Sequence, residues 1–202
     1  MTMTDKQLNV QSEQTVFNGF FKVKLLNFSH SLYRGGITSN LKREIFCRGP
    51  AVVVLLYDTS LRQVVLVEQC RAGAIQNAMT SGNINQAWLL EPVAGMIDIG
   101  ETPIQAAIRE TKEETGLDVF DLEYISQFYP SPGACDEILH LFAGQVDSSA
   151  VDSYAGIAEE GEDIRIVTLS FSSAKQKLLA GDFNVATTYM ALQWLFNQKL
   201  NS

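Results

Sequence analysis

Three glutamates in the segment 100–119 have a spacing that could bind a divalent cation. If this segment is helical, Glu110 and Glu114 are i,i+4 neighbours, and their like charges repel each other. Together with Glu113 they lie toward the carboxyl end, where the helix dipole also disfavours anions. A hard cation such as Mg²⁺ takes carboxylate oxygens as ligands and would offset this repulsion.

The same segment carries several signals for a helix over residues 103–115. Thr102 and Gln105 can form a capping box around Pro103, and Gly116 supplies a left-handed residue to end the helix. At about 100° per residue, one face is expected to pack on the core and contains Ile104, Ala107, Ile108, Thr111 and Thr115. We expect the neighbouring face to present the three glutamates.

Strands and helices are predicted to alternate along the chain. The stretch 16–48 has aromatic and β-branched residues around Arg34-Gly35-Gly36, which predicts a small antiparallel sheet. The polar stretch 72–87 is predicted to be a long loop. Further strands are predicted at 51–57, 64–71, 88–93, 121–129, 138–146 and 164–170, and closing helices at about 173–180 and 185–199. This alternation indicates an α/β layer structure, which we divide into an N-terminal unit, 1–48, and a domain, 49–202.

The composition argues against several classes of protein. A net charge of −8 opposes nucleic-acid binding, so a phosphate-bearing ligand would need a cation as intermediary. No apolar run is long enough to span a membrane, and the N-terminus lacks a signal-peptide pattern, which favours the cytoplasm. Cys47, Cys70 and Cys135 are far apart and only two histidines are present, so we expect reduced thiols and no zinc site.

The acidic helix is part of a longer pattern. Gly95, Glu101, Arg109-Glu110, Glu113-Glu114 and Gly116-Leu117 occur in the order and spacing of the Nudix hydrolase signature, which this segment resembles. Thr111 is a departure, because the pattern prefers an apolar residue there; its methyl group can still face the core. The resemblance implies an α/β/α sandwich around a mixed sheet, and hydrolysis of a nucleoside diphosphate linked to another group.

Most of the chain is similar to the bacterial ADP-ribose pyrophosphatases of that family. The similar stretches include NGFF at 18–21, KREIFCRG at 42–49, VVLVEQCR at 64–71, WLLEPVAGMI at 88–97, SPG at 131–133 and EEGEDIRI at 159–166. This implies Mg²⁺-dependent cleavage of ADP-ribose to AMP and ribose 5-phosphate. Two alternatives stay open: hydrolysis of another sugar nucleotide, a dinucleoside polyphosphate or NADH, or binding of ADP-ribose by a non-catalytic sensor.

The resemblance also implies roles for individual residues. Two or three Mg²⁺ ions, for which Mn²⁺ can substitute, would be held by the carbonyl of Ala94 and by Glu110, Glu114 and Glu162. The catalytic residues would be Glu160 as general base, Glu113 beside the metals, and Glu101 with Arg109 holding the loop-helix-loop; Glu160 and Glu162 could exchange roles. Substrate would contact Phe20, Arg43, Arg71 and Pro132. A homodimer with exchanged N-terminal units is implied, which brings Phe20 and Arg43 to the neighbouring site.

Overall fold

The computed structural model describes residues 6–156 and 161–200. The chain divides into two compact units, one of Met1–Pro50 with Phe128–Ile138 and the other of Ala51–Gln127 with Leu139–Ser202. The segment 128–138 thus belongs with the N-terminal residues, although it is distant from them in sequence. The predicted boundary between residues 48 and 49 did not anticipate this segment, and the division into domains of separate function stays a prediction.

The first unit is built on a three-stranded antiparallel sheet. Its strands are β1 (Leu8–Asn18), β2 (Lys22–His30) and β3 (Leu41–Cys47). The first strand begins before the predicted sheet at residue 16, because its residues are mostly polar and give no strand signal of their own. Gly35 and Gly36 both have positive φ angles in the connection between β2 and β3, as the turn signal predicts.

The second unit is built mainly on an eight-stranded sheet. Its strands are β4 (Pro50–Asp58), β5 (Gln63–Cys70), β6 (Trp88–Glu91), β7 (Val93–Met96), β8 (Phe120–Phe128), β9 (Ile138–Gln145), β10 (Tyr154–Ala155) and β11 (Ile164–Ser170). The main order is β10-β11-β5-β4-β9-β8, while β6 pairs with β5 and β7 pairs with β4. The short strands β6 and β7 therefore lie beside the two central strands.

Four α-helices accompany this sheet in the part of the chain that the structure describes: α1 (Ala72–Ser81), α2 (Pro103–Thr115), α3 (Phe171–Ala180) and α4 (Ala186–Trp194). In β4, eight consecutive residues from Ala51 to Asp58 are buried, so both faces of this strand are covered. Alternate residues of β4 and β5 pack with Ala106 and Ala107 of α2 in one core cluster. The predicted α/β sandwich around a mixed sheet is confirmed.

One prediction of local structure was wrong. The stretch 72–87 is not a loop: it forms α1, followed by a 3₁₀ turn at Ile84–Ala87. Its helical signal is weak because Gly73 lies in the first turn and Arg71, at the N-cap, makes no side-chain cap. The closing helix predicted at about 185–199 is present as α4, and its last turn, Leu195–Lys199, is π-helical. Within the described residues, no helix is long and apolar enough to cross a membrane.

Candidate active site

Helix α2 has the predicted bounds. The Thr102 side chain accepts from the backbone N–H of Gln105, and the Gln105 side chain accepts from the backbone N–H of Thr102, which completes the capping box. At the other end, Gly116 adopts the left-handed conformation, with φ of 71°. These local signals fix the register of α2, and hence the direction in which each glutamate points.

The predicted assignment of the faces of α2 was wrong in part. Ala107, Thr111 and Thr115 are buried as expected, but Ile104 and Ile108 are 56% and 49% exposed. Glu114 is instead only 2% exposed. Small side chains let the helix approach the sheet closely, and that contact places a carboxylate inside the protein. Periodicity alone gave the larger isoleucines more weight than the alanines.

Thr111, the departure from the signature, is accommodated within the helix. Its side chain is fully buried and its hydroxyl donates to the carbonyl of Ala107 at 2.7 Å. This bond to the preceding turn satisfies a hydroxyl group that would otherwise be buried without a partner. The threonine therefore leaves the helix intact and the positions of the neighbouring glutamates unchanged.

Glu110 lies against the backbone of β7. Gly95 on that strand pairs with Val52, and a Cβ atom at Gly95 would overlap the carboxyl group of Glu110. Only glycine leaves room for this carboxylate beside the strand. Burial raises the pKa of Glu110, while the guanidinium of Arg109 opposes the shift.

Glu114 is the most buried carboxylate of α2. It accepts one hydrogen bond from the backbone N–H of Ala94, at 3.2 Å. Burial raises its pKa to about 8; the Ala94 N–H opposes this shift and the nearby charge of Glu110 adds to it. A carboxylate that is this deeply buried and accepts one donor is stabilised in its charged form only if a cation approaches it.

Arg109 connects the helix with the loop before it. Its Nε and Nη2 donate to the two oxygens of Glu101, at 3.0 and 2.9 Å, and Nη2 also donates to the carbonyl of Met96. Glu101 further accepts the N–H of Asp98. The hydrogen bond from Arg109 lowers the pKa of Glu101, and the same bond raises that of Arg109. This bidentate geometry fixes the loop 96–101 on the helix.

The same guanidinium contacts two further glutamates. Nη1 of Arg109 lies 2.7 Å from Glu110 and 2.9 Å from Glu113. Arg109 and Glu113 thus form an i,i+4 ion pair. Across residues 6–156 and 161–200, no three His, Cys, Asp or Glu side chains converge in a metal-binding arrangement. Glu110 and Glu113 accept hydrogen bonds from Arg109, and Glu114 accepts one from a backbone N–H. Each of these carboxylates therefore has a donor from the protein, and the three do not converge on one point.

The donor set nevertheless fits Mg²⁺. Glu110 and Glu114 are hard oxygen ligands with pKa values raised by burial. Glu162 is half-buried, and its charge contributes to the raised pKa of both of these groups. The predicted base, Glu160, lies outside the described residues. A cation bound here would supply the positive charge that these carboxylates lack.

The predicted substrate residues are divided between the two units. Arg71, which follows β5, donates through Nε to Glu91 at 2.6 Å. Sequence reasoning missed Glu91; its one signal is that an acidic residue ends the otherwise apolar strand WLLE. Because Nη1 and Nη2 of Arg71 have no partner among the described residues, these donors could bind a phosphate.

Three substrate residues lie in the first unit. Phe20 is 91% exposed, and its ring meets Phe21 edge-on at 4.7 Å between centroids. The guanidinium of Arg43 donates to the carbonyl of Lys42. Pro132 is exposed in a loop whose residues Ala134 and Asp136 hydrogen-bond the backbone of Phe46. The exposed ring of Phe20 is therefore not part of a core.

Comparison with known proteins gives a consistent result. A family model described as the NUDIX domain matches residues 48–185. An ADP-ribose pyrophosphatase of Haemophilus influenzae is 37% identical over 95% of this chain and 87% of its own length, and one from Escherichia coli strain K12 is 37% identical over 96% and 90%. A GDP-mannose pyrophosphatase of Escherichia coli is 30% identical over 94% and 95%.

A solved structure has a similar fold. It is described as an ADP compounds hydrolase, and it aligns with a TM-score of 0.68 over 95% of this chain and 96% of its own, at 22% identity. This likeness supports the architecture, while the sequence matches carry the family assignment. The geometry of α2 and the match over residues 48–185 agree, and the chain belongs to the Nudix family.

Proposed function

We propose that this protein hydrolyses the diphosphate bond of ADP-ribose and releases AMP and ribose 5-phosphate, with Mg²⁺ as cofactor. The observation that carries the proposal is the pair of Glu110, which is partly buried, and Glu114, which is buried, with Gly95 leaving room for the first and Ala94 donating to the second. Its substrate is supported by relatives named ADP-ribose pyrophosphatase that are 37% identical over nearly the whole chain.

The residues that would hold Mg²⁺ are Glu110, Glu114, Glu162 and the carbonyl of Ala94. When bound, two or three such ions would neutralise charge on the diphosphate and lower the pKa of a coordinated water, and Mn²⁺ could replace them. The fit rests on buried oxygen donors whose pKa values are raised in the absence of a cation.

The other charged residues would orient these ligands and handle the proton. Arg109 and Glu101 hold the loop against α2, and Arg109 also contacts Glu110 and Glu113. Glu160 would accept the proton of the attacking water, with Glu162 able to take its place. Both belong to the acidic run 159–163, which precedes the strand β11.

Substrate would be held by residues of two subunits. Arg71 would donate to the diphosphate, since Glu91 already orients its guanidinium. Phe20 would stack on the adenine, and Arg43 and Pro132 would complete the site from the N-terminal unit of a second copy. The proposed homodimer is supported by apolar side chains exposed on the first sheet, including Leu8, Val10, Phe17 and Phe20, which are 52–91% exposed. The proposal keeps the cytoplasmic location that the sequence predicts.

GDP-mannose is a second candidate substrate. The GDP-mannose pyrophosphatase of Escherichia coli is 30% identical over almost its full length, so the same scaffold accommodates a protein named for another sugar nucleotide. The identity is lower than for the ADP-ribose enzymes. The loop 131–137 and helix α1 are the segments expected to decide between the two.

The test is the release of AMP from ADP-ribose by the purified protein, with Mg²⁺ and with chelator, compared with GDP-mannose and NADH at equal concentration. We expect metal-dependent turnover that is fastest with ADP-ribose and is lost in Glu114→Gln. Faster turnover of GDP-mannose would overturn the substrate and keep the reaction. Tight binding of ADP-ribose without turnover would instead support the sensor.

A further inference from the structure

A buried amide without a partner lies on the strand that leads to Arg71. Gln69 is 7% exposed, and its Nε2 has no hydrogen-bond partner among the residues that the structure describes. A side-chain amide carries two N–H donors, and buried donors in folded proteins are nearly always satisfied. This amide is therefore an exception that calls for an acceptor from outside the described chain.

The strand pairing shows which way Gln69 faces. Val65 and Val67, at alternate positions of β5, pack in the same cluster as Ala106 and Ala107 of α2. Gln69 is the next residue on that side and pairs with Leu89, just as Val67 pairs with Glu91. The amide thus continues the side of the sheet that faces α2.

The carboxylates on this side of the sheet and on α2 already accept hydrogen bonds from other groups. Glu91 accepts from Arg71, Glu110 accepts from Arg109 and Glu114 accepts from Ala94. Gln69 donates to none of these carboxylates. An anionic oxygen supplied by a ligand on this face could accept from the Gln69 amide and from the Nη atoms of Arg71, which have no partner in the part of the chain that the structure describes.

We propose that Gln69 binds substrate directly, by donating from Nε2 to a non-bridging oxygen of the diphosphate beside Arg71. The inference rests on the proposed function, because it assumes a nucleoside diphosphate at this face of α2. An apolar side chain would continue the run of Val65 and Val67 without leaving a donor unsatisfied. The polar residue is thus explained by the ligand and is not required by the fold.

The experiment compares Gln69→Leu and Gln69→Met with Gln63→Leu on the same strand. Gln63 is a matched control because its Oε1 accepts from the hydroxyl of Ser148 at 3.1 Å. Three quantities are measured: the melting temperature of the metal-free protein, the affinity for the α,β-methylene analogue of ADP-ribose with Mg²⁺ by calorimetry, and kcat and KM for ADP-ribose.

For both Gln69 variants we expect affinity for the analogue to fall by about 10- to 100-fold, as for the loss of a hydrogen bond to a charged group. Their melting temperature should be unchanged or higher, since the unsatisfied donor is gone. Gln63→Leu should show the reverse, a lower melting temperature with unchanged affinity.

Two results would overturn the role of Gln69. One is unchanged affinity with an unchanged melting temperature in both variants. The other is unchanged affinity with a lower melting temperature, which would indicate a structural water or a packing role. A wild-type protein that binds the analogue but does not hydrolyse ADP-ribose would contradict the proposed function alone. The binding comparison would still decide the role of Gln69 in that case.

Discussion

Two carboxylates of the second unit are both shielded from solvent, but their pKa values shift in opposite directions. Asp58, at the end of β4, is 4% exposed, and Glu114 is 2% exposed. Asp58 accepts four hydrogen bonds, from the backbone N–H groups of Ser60, Leu61 and Ser148 and from the Ser148 hydroxyl. Burial opposes its charged form, but these donors outweigh it and lower its pKa.

Glu114 accepts a single backbone donor, and burial raises its pKa to about 8. The number of donors that the chain supplies separates a structural buried acid from one suited to chemistry. The chain satisfies Asp58 with its own hydrogen-bond donors, and these bonds link the turn after β4 to residue 148. Glu114 is left short of positive charge, and this deficit is what a metal site requires before the metal arrives.

The largest effect is expected from Glu114→Gln. Removing this charge should lower kcat for ADP-ribose by about 10²–10³-fold or more, the range for losing one electrostatic contact to a reacting group. The metal-free variant should be at least as stable as the wild type, because the neutral amide needs no cation. Steady-state kinetics and thermal unfolding measure the two effects. Asp118→Asn, at an exposed ion pair, is the control and should leave kcat unchanged.

The comparison can be sharpened by pH. Glu114 titrates near 8 when folded and near 4.5 when unfolded, so between these values the metal-free folded state holds more protons. Its contribution to stability is therefore fully present below pH 4.5 and is lost as the pH rises through 8. We expect the free energy of unfolding to fall by roughly 3–5 kcal/mol over this window.

Urea unfolding at pH 5, 6.5 and 8 measures this slope, with and without Mg²⁺. Glu114→Gln should flatten it in metal-free protein, and saturating Mg²⁺ should reduce it in the wild type. Equal slopes for the wild type and the variant would contradict the assignment of the raised pKa to Glu114.

Asp58→Asn should lower stability and leave turnover unchanged, the reverse of what is expected for Glu114→Gln. The amide cannot accept all four hydrogen bonds and brings a donor toward buried N–H groups, so we expect a loss of about 2–3 kcal/mol in stability. Turnover per folded molecule should be unchanged. Asp147→Asn is the matched control: this exposed residue caps a 3₁₀ turn and should lose less than about 1 kcal/mol. A kinetic defect in Asp58→Asn would contradict its purely structural role.

The smallest effect is expected from Arg109→Lys. A lysine keeps the charge beside Glu110 and Glu113 but loses the bidentate contact with Glu101, at 3.0 and 2.9 Å. We expect kcat to fall by about tenfold, with a smaller change in KM, because the loop 96–101 would be held less firmly. A double-mutant cycle with Glu101→Gln measures the coupling, which should account for most of the loss. Additive effects would show that the two residues act separately.

Local signals account for what could be predicted from the sequence. Thr102, Pro103, Gln105 and Gly116 act within one helix, so the ends of α2 were predicted correctly. The burial of Glu114 depends on how closely α2 approaches β7, and that distance is set by Ala106 and Ala107 against the sheet. Periodicity does not encode such a distance, and it therefore placed Ile104 and Ile108 in the core.

Contacts over long sequence separations were similarly out of reach. Asp136 accepts the N–H groups of Arg48 and Gly49, 88 and 87 residues away, and this explains why the segment 128–138 belongs with the first unit. The pairing of Glu91 with Arg71 depends on the register of β5 and β6. Family resemblance identified Arg71 as a candidate, but only the structure shows what orients it.

The close contact between Gly95 and Glu110 also predicts how substitutions of residue 95 would affect abundance and activity in a population of variants. A methyl group there would displace only the flexible end of Glu110, so the chain should still fold. In a saturation library, substitutions at residue 95 should therefore keep the normal abundance of the protein in the cell while abolishing its hydrolase activity. Such alleles would pass unnoticed through any screen that selects for expression alone.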